Sequence, residues 1–235
     1  MAKCYNFAPQ FFCMQKFELA EFKALDLSGY ALVDTRKPEV FAEGFIEGSV
    51  SIPFGEGFVD SLQELISPEL KVLVIAEEAE IASILKAIKG SGMSNVTGYL
   101  ADGFEAWQKE ANRFDLLISI DADEFALDYQ FDEFYLIDLR DREDYEKGHV
   151  EDAENITLID LEPLLIEMDT AELYYLYGNT AAEAITAASL LKRNGFHRIR
   201  SVAAEYNTLK AAGIPMFVPK KKGNSSSNLP ENQGL

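Results

Sequence analysis

Val33-Asp34-Thr35-Arg36 ends an apolar run, and Phe41 and then Gly44-Phe45-Ile46-Glu47-Gly48-Ser49-Val50-Ser51-Ile52-Pro53 follow it. Key positions of this stretch return later in the chain at a constant offset of 104 residues. The recurring pairs are Asp34 and Asp138, Arg36 and Arg140, Phe41 and Tyr145, Gly44 and Gly148, Ile46 and Val150, and Ile52 and Ile156. Solenoid repeats have periods of roughly 20–50 residues, so this longer period indicates two copies of a whole domain.

The repeat continues beyond these positions with an offset of 102 residues. The apolar segment 72–75 matches 174–177, and Phe104 matches Tyr206. We therefore place one domain at residues 15–112 and a second at 116–218. The segment 219–235 contains Lys220-Lys221-Lys222 followed by Gly, Asn and Ser residues, a composition typical of a disordered tail.

Each copy alternates short apolar strands with amphipathic helices. The strands do not alternate apolar and polar residues, which is typical of parallel strands covered on both faces. The predicted fold class is α/β, with two tandem domains that each hold a mostly parallel sheet of about five strands and helices on both faces. Ligands bind such sheets at the carboxyl ends of the strands, so candidate sites follow Ile75 and Tyr177.

Charge and composition exclude several function classes. The 235 residues carry a net charge of −19, and the segment 114–218 holds 22 acids against 8 bases, which disfavours nucleic acid and anionic membrane as partners. No apolar run approaches the roughly 18 residues of a membrane helix, and we identify no signal peptide. The two cysteines, Cys4 and Cys13, make no disulfide scaffold, so a cytoplasmic location is expected.

The closing part of the first copy, Tyr99-Leu100-Ala101-Asp102-Gly103-Phe104-Glu105-Ala106-Trp107, completes a recognisable pattern with the opening stretch. Together they resemble a tandem rhodanese, with the second copy a looser match because Ala204-Glu205 replaces Asp102-Gly103. The first copy also looks like the rhodanese part of fusions with a metallo-β-lactamase-fold sulfur dioxygenase. That dioxygenase domain and its His-rich metal motifs are absent from this sequence.

The resemblance implies where sulfur chemistry would reside. A rhodanese carries sulfur as a persulfide on a cysteine that opens a six-residue loop after the central strand. The loops that match this position in the two copies are Ala76, Glu77, Glu78, Ala79, Glu80 and Ile81, and Gly178, Asn179, Thr180, Ala181, Ala182 and Glu183. Neither loop contains a thiol, a lysine or an arginine, so no catalytic residue is assigned. Both are interpreted as degenerate active-site loops.

The two loops differ in chemistry. Three carboxylates in the first would repel an anionic sulfur donor, and we expect them to fill the anion site at the helix N-terminus with the protein's own charge. Asn179 and Thr180 in the second are candidates for neutral hydrogen bonds to a small ligand. No metal or cofactor site is predicted, because His149 and His197 have no Cys or His partners nearby in sequence.

Two functional hypotheses remain open. The first is a catalytically inactive tandem rhodanese-like protein that acts as a binding or regulatory module, with a partner protein of basic surface. The alternative is a sulfurtransferase-related enzyme, or an accessory piece of a persulfide dioxygenase–rhodanese system. The remaining signature residues are interpreted as scaffold: Asp34 and Asp138 as partners of nearby groups, Arg36 and Arg140 as partners of nearby acids, and Phe41, Tyr145 and Trp107 as core.

Overall fold

The computed structural model describes residues 14–110 and 113–219. Cys4, Cys13 and residues 220–235 of the expected tail lie outside the described residues, and the predictions made for them stay predictions.

The first half of the chain forms a five-stranded sheet with helices between its strands. Its strands are β1 (Gln15–Phe17), β2 (Tyr30–Asp34), β3 (Ser49–Ser51), β4 (Lys71–Ile75) and β5 (Val96–Leu100). Its α-helices are α1 (Leu19–Lys23), α2 (Pro38–Glu43), α3 (Phe58–Leu65), α4 (Ile81–Ser91) and α5 (Gly103–Glu110), with a 3-10 turn at Leu27–Gly29. The strand order is β1-β5-β4-β2-β3, and every pairing is parallel.

The second half repeats this arrangement. Its strands are β6 (Ile118–Ile120), β7 (Tyr135–Asp138), β8 (His149–Val150), β9 (Glu154–Asn155), β10 (Tyr174–Tyr177), β11 (Ile199–Val202) and β12 (Met216–Phe217). Its helices are α6 (Ala122–Phe131), α7 (Arg142–Lys147), α8 (Leu161–Leu164), α9 (Ala181–Arg193) and α10 (Tyr206–Ala211), with a 3-10 turn at Leu165–Glu167. The second parallel sheet has the order β6-β11-β10-β7-β9, which is the first order with each strand replaced by its repeat.

Helices cover both faces of each sheet because successive strand residues point to opposite sides. In the first sheet, Leu32 and Leu73 pack with Phe22 of α1, while Val33 and Val74 pack on the other face with the side of α4. In the second sheet, one face packs with α6 and α10 and the other with α9. The predicted fold class is confirmed.

Helix α9 joins the two halves. It is buried from Ala184 to Leu191, and the small side chains of its central turns let it approach β3 of the first sheet closely. The backbone N–H of Ser51 donates to Ser189 Oγ at 2.9 Å, and Arg193 Nη2 donates to the Tyr30 carbonyl at 3.1 Å. The edge of the first sheet is thus covered by the helix that follows the candidate loop of the second.

The interpretation of two aromatic side chains as core was wrong. Trp107 and Tyr145 are half-buried rather than core. The antiparallel pair of β8 with β12 has no counterpart in the repeat pattern. Within the described ranges, no helix has the length and apolar character needed to cross a membrane.

Candidate functional site

A buried ion pair stands at the carboxyl end of β2 and recurs at the end of β7. Arg36 Nε donates to Asp34 Oδ1 at 2.9 Å, and Nη2 donates to Oδ2 at 2.6 Å and to the Gly44 carbonyl at 2.8 Å. The Arg36 guanidinium carbon lies 4.3 Å from the ring centroid of Phe104. This confirms the expected pairing of Asp34 and Arg36, and shows that Gly44 contributes its carbonyl as well as ending α2.

The second domain reproduces this pair nearly atom for atom. Arg140 Nε donates to Asp138 Oδ1 at 2.9 Å, and Nη2 donates to the Gly148 carbonyl at 2.9 Å. The Arg140 guanidinium carbon lies 4.3 Å from the ring centroid of Tyr206. The repeated aspartates and arginines therefore act in both copies as a buried clamp between the strand end and the glycine that follows the next helix.

Burial dominates the electrostatics of this clamp in the first domain. Asp34 is fully buried, and loss of solvation raises the pKa of its carboxyl, whereas the hydrogen bonds and charge of Arg36 act to lower it. The arginine is only 7% exposed, so neither charge has ready access to water. Removing one member would leave the other buried without its partner.

The first candidate loop forms a turn that leads into α4. Ala76 is 2% exposed, and the Glu80 N–H donates to the Glu77 carbonyl at 2.9 Å. Ala79 is exposed and Ile81, which begins α4, is buried. Among the described residues, no carboxylate of this loop accepts a hydrogen bond from the loop backbone, and Glu78 instead lies 3.6 Å from Lys16 Nζ. The expectation that these carboxylates fill the helix N-terminus finds no support in the geometry.

A cavity of about 580 Å³ opens above this loop. Arg36 and Phe104 line it together with Ala76, and its other walls carry acids on α2, the loop, the β5–α5 turn and α5. These acids are Glu43, Glu77, Glu78, Asp102 and Glu105. The site is therefore open, and its lining is predominantly negative because Asp34 neutralises the charge of Arg36. This environment opposes the binding of anions.

The second candidate loop is occupied by one of its own side chains. The Asn179 N–H donates to Glu183 Oε2 at 2.8 Å, and the Glu183 N–H donates to Thr180 Oγ1 at 3.2 Å. Gly178 is buried, and a Cβ placed there would lie 2.9 Å from Glu183 Cδ. The carboxylate thus folds back from the first turn of α9 into the space beside residue 178. Ala181 and Ala182 are half-buried in that first turn.

The environment makes the Glu183 carboxyl a weaker acid than usual. Burial raises its pKa most, and the negative charges of Asp141 and Asp138 raise it further. Hydrogen bonds with the backbone of Asn179 and of Thr180 act in the opposite direction and lower this pKa. Inside the loop the Asn179 backbone N–H donates and the Thr180 hydroxyl oxygen accepts, while the exposed Asn179 lines a smaller cavity of about 290 Å³ with Arg140 and Tyr206.

Tyr177, the last residue of β10, links the second loop to the clamp, a role that the sequence analysis did not identify. Its hydroxyl donates to Asp138 Oδ2 and accepts from the Val150 N–H at 3.2 Å. Burial and the Asp138 charge raise the pKa of this phenol, so it stays protonated. Ile75 occupies the equivalent position in the first copy. The domains therefore differ in polarity directly beneath their loops.

Histidine takes part in packing at this end of the second domain. The His149 ring stacks on Tyr145 with centroids 3.7 Å apart and on Phe217 at 4.8 Å. Across residues 14–110 and 113–219, no group of three or more His, Cys, Asp or Glu residues has an arrangement that could hold a metal ion.

Comparison with known proteins matches both halves of the chain to one family. The model of the rhodanese-like domain matches residues 19–110 and 121–212. None of the curated proteins matches the chain.

Several solved structures are similar to parts of the chain. The Alr3790 protein from Anabaena is 25% identical, with 42% of this chain and 90% of that chain covered and a TM-score of 0.39. A rhodanese-like domain protein from Staphylococcus aureus is 20% identical, with 40% and 91% covered and a TM-score of 0.35. A thiosulfate sulfurtransferase from Pseudomonas aeruginosa is 14% identical, with 87% and 43% covered and a TM-score of 0.37.

Proposed function

The chain belongs to the rhodanese-like domain family, with two copies in tandem, and from that premise we propose that it is a catalytically inactive member that serves as a binding or regulatory module. Sulfur transfer by the family's route needs a thiolate to attack the donor. Ala76 and Gly178 stand at the two matching positions, and the only cysteines of the sequence are Cys4 and Cys13. Without a nucleophile at either loop, that route is closed.

The observation that carries this proposal is the position of Glu183. Its carboxylate accepts the Asn179 N–H at 2.8 Å, so an internal anion takes a loop donor that an oxyanion would otherwise use. A bound thiosulfate would have to displace this carboxylate and approach the neighbouring Asp138 and Asp141 charges. The second loop is thus occupied by the protein's own side chain.

The first loop supports the same function in a different manner. Its cavity of about 580 Å³ is open, but acids line its walls. A dianion entering it meets like charges, and two unit charges about 4 Å apart repel by about 1 kcal/mol even in water. Electrostatic complementarity therefore favours a partner with a basic surface.

The retained shape of that cavity favours one alternative. Arg36 still lines a space large enough for a small molecule or a side chain of another protein, which suits an accessory piece of a sulfur-metabolising enzyme, such as a persulfide dioxygenase–rhodanese system. In that role the chain would supply a surface while another subunit supplied the thiol or metal. A cytoplasmic location is proposed with either function.

Sulfur transfer from thiosulfate to cyanide tests the proposal. In the active reaction a thiolate attacks the sulfane sulfur, the S–S bond of thiosulfate breaks, and sulfite leaves as the protein persulfide forms. We expect the full chain to give no more thiocyanate than a heat-denatured sample. The variant C4S/C13S serves as a control. Turnover by the wild-type chain contradicts inactivity, and turnover that survives in this variant assigns it to a group other than a cysteine.

A further inference from the structure

The first domain receives an arginine of the second domain at the amino end of its sheet. Arg193, the last residue of α9, donates from Nη2 to the Tyr30 carbonyl at 3.1 Å and from Nη1 to the Gly48 carbonyl at 3.5 Å. Tyr30 is the first residue of β2, and Gly48 immediately precedes β3. An arginine side chain therefore docks where two neighbouring strands at the edge of the first sheet begin.

The matching place in the second domain is a pair of cavities. The 104-residue offset matches Tyr30 with Phe134 and Gly48 with Asp152. Cavities of about 270 Å³ and about 310 Å³ lie here as neighbours, since both are lined by Phe134, Leu136 and Asp152. We call them the paired cavities. Their volumes are near the lower end of the roughly 300–1,000 Å³ of drug-sized ligand sites, so they suit individual side chains.

Aromatic rings and carboxylates line the paired cavities. The rings of Tyr135 and Tyr174 stack with centroids 5.5 Å apart, and Tyr135 is 55% exposed. The acids of the two linings are Asp132, Glu133, Glu151, Asp152, Glu154, Glu167, Asp169 and Glu172. Of the described residues that line them, none is a lysine, an arginine or a histidine. Exposed aromatic faces and carboxylates are the groups that attract a guanidinium.

The protein supplies little positive charge to these carboxylates. Across the part of the chain that the structure describes, Asp132 is the only one of the eight within 4.0 Å of a basic nitrogen, that of Arg200. Arg200 Nη1 itself donates to Asp128. Arg198 donates from Nη1 to the Ala171 carbonyl at 2.7 Å and is also engaged. The negative potential of the paired cavities is therefore available to a cation from outside.

The first domain supplies a second cation at the matching position, and the second domain does not. Lys71 Nζ lies 5.4 Å from the ring centroid of Tyr30, the residue that corresponds to Phe134. The 102-residue offset places Leu173 where the first domain has Lys71, and the Leu173 carbonyl accepts the Tyr135 N–H at 2.8 Å. The second domain thus carries a leucine in place of the lysine, at the end of the sheet where it gathers carboxylates.

We propose that the paired cavities bind an arginine-bearing segment of a partner protein, with a guanidinium at the position that Arg193 occupies in the first domain. Arginine suits the site better than lysine, because its planar fork contacts several oxygens at once and stacks on aromatic rings. A second copy of this chain suits it poorly, because α9 is already packed between its own domains and the net charge is −19. This inference rests on the binding role proposed above and names the class of partner.

The test uses a synthetic probe, a short Gly/Ser peptide that carries two arginines and a fluorescent label for anisotropy. Matched peptides carry lysine or uncharged citrulline in place of arginine. The cavity variant is D152N/E154Q, and the control D123N/E124Q removes the same charge from exposed residues at the start of α6. Thermal unfolding of each variant establishes that it is folded.

A second variant supplies the internal cation instead of removing acids. L173K places a lysine where the first domain has Lys71, and the control L127K adds the same charge at a leucine of α6 that is 61% exposed. L173K should weaken binding of the arginine peptide more than L127K does, because the new ammonium would compete for the same ring and carboxylates.

We expect the arginine peptide to bind D152N/E154Q at least about fivefold more weakly than D123N/E124Q, since the two variants have equal net charge and only the first lacks carboxylates at the site. The lysine peptide should bind the wild type more weakly than the arginine peptide, and the citrulline peptide should bind most weakly.

The proposal is overturned if the wild type does not bind the arginine peptide or binds all three peptides equally. Equal binding by either variant and its control also overturns it, as does self-association of the wild type that D152N/E154Q abolishes. A lysine peptide that binds as tightly as the arginine peptide contradicts the choice of arginine. Sulfur turnover by the full chain would contradict inactivity and leave these results unchanged, so the two proposals fail separately.

Discussion

The carboxylate of Glu183 lies inside the loop that precedes its own helix, where it accepts the backbone N–H of Asn179 at 2.8 Å. The same residue donates its backbone N–H to Thr180 Oγ1 at 3.2 Å. The second loop therefore satisfies two of its backbone donors internally. This arrangement separates the second domain from the first, where Glu78 of the loop lies 3.6 Å from Lys16 Nζ.

The raised pKa of Glu183 makes the stability of the protein depend on pH. Because its pKa is higher in the folded than in the unfolded chain, the folded protein binds the proton more tightly, and ionisation costs stability as pH rises from the ordinary value of 4.5 through the folded value. Glu183→Gln keeps an acceptor for Asn179 but cannot ionise. We expect its free energy of unfolding, relative to wild type, to increase as pH rises through that window.

Urea unfolding of both proteins at several pH values measures this difference. Exposed Glu146→Gln is the matched control and should give a difference that does not increase in the same window. A wild type that gains stability over Glu183→Gln as pH rises would mean that Glu183 is stabilised as a charged group, contrary to the burial of its carboxyl.

The buried clamp predicts a large effect from a single truncation. Asp34→Ala leaves the Arg36 guanidinium, 7% exposed, without its carboxylate, and breaking a buried pair in this manner costs about 3–5 kcal/mol. The double variant D34A/R36M removes both charges and should recover part of that loss. Urea unfolding measures both, with the exposed pair of Arg142 and Glu146 as the control site.

If D34A/R36M were less stable than D34A, the result would contradict the clamp, because the second substitution would then only add a further loss of stability. Glu146→Ala should leave the midpoint of unfolding nearly unchanged, because its partner is exposed to water.

The contact between α9 and β3 predicts that the two domains stabilise each other. Ser189→Ala removes the acceptor of the buried Ser51 N–H and should cost about 1–3 kcal/mol of unfolding free energy. Ser201→Ala is the control, because the Ser201 hydroxyl makes only a long contact of 3.5 Å to the Ile118 carbonyl. Equal losses in the two variants would show that the hydrogen bond across the interface contributes nothing.

The repeat pattern was sufficient to predict the two α/β units and most of their elements. The apolar segment 72–75 lies within strand β4 (Lys71–Ile75), and its repeat at 174–177 is strand β10. Buried parallel strands of this kind are continuous apolar runs, which the sequence displays directly. The edge strands β1 and β6 were missed, since each has three residues and two of them are exposed.

The sequence analysis named Glu183 only as part of the second loop and did not predict the position of its side chain. One signal for it was present. Thr180 and Glu183 have the spacing of a capping box, in which the glutamate side chain turns back toward the start of the helix. Here it reaches one residue further, to Asn179, because Gly178 leaves space beside it. Neither Tyr177 beneath the loop nor the packing of α9 on β3 has a signature in local spacing.

The restoration of a thiol tests most directly the claim that the fold is retained while the nucleophile is lost. The variant G178C/E183R places a cysteine at the N-terminus of α9, where the helix dipole favours a thiolate, and removes the carboxylate that occupies the loop. G178C alone should form less persulfide, because the new Cβ would clash with Glu183 Oε2. A76C should form the least, because three loop carboxylates lie close to the new thiol.

The measurement is persulfide formation with thiosulfate, detected by mass spectrometry of the intact protein. Cys4 and Cys13 are changed to serine in every variant. We predict a slow but detectable persulfide in G178C/E183R, less in G178C, least in A76C, and none in the cysteine-free parent. A thiol introduced at position 178 that has an ordinary pKa near 8.5 and forms no persulfide would contradict the account, because the loop would then no longer hold an anion even when emptied.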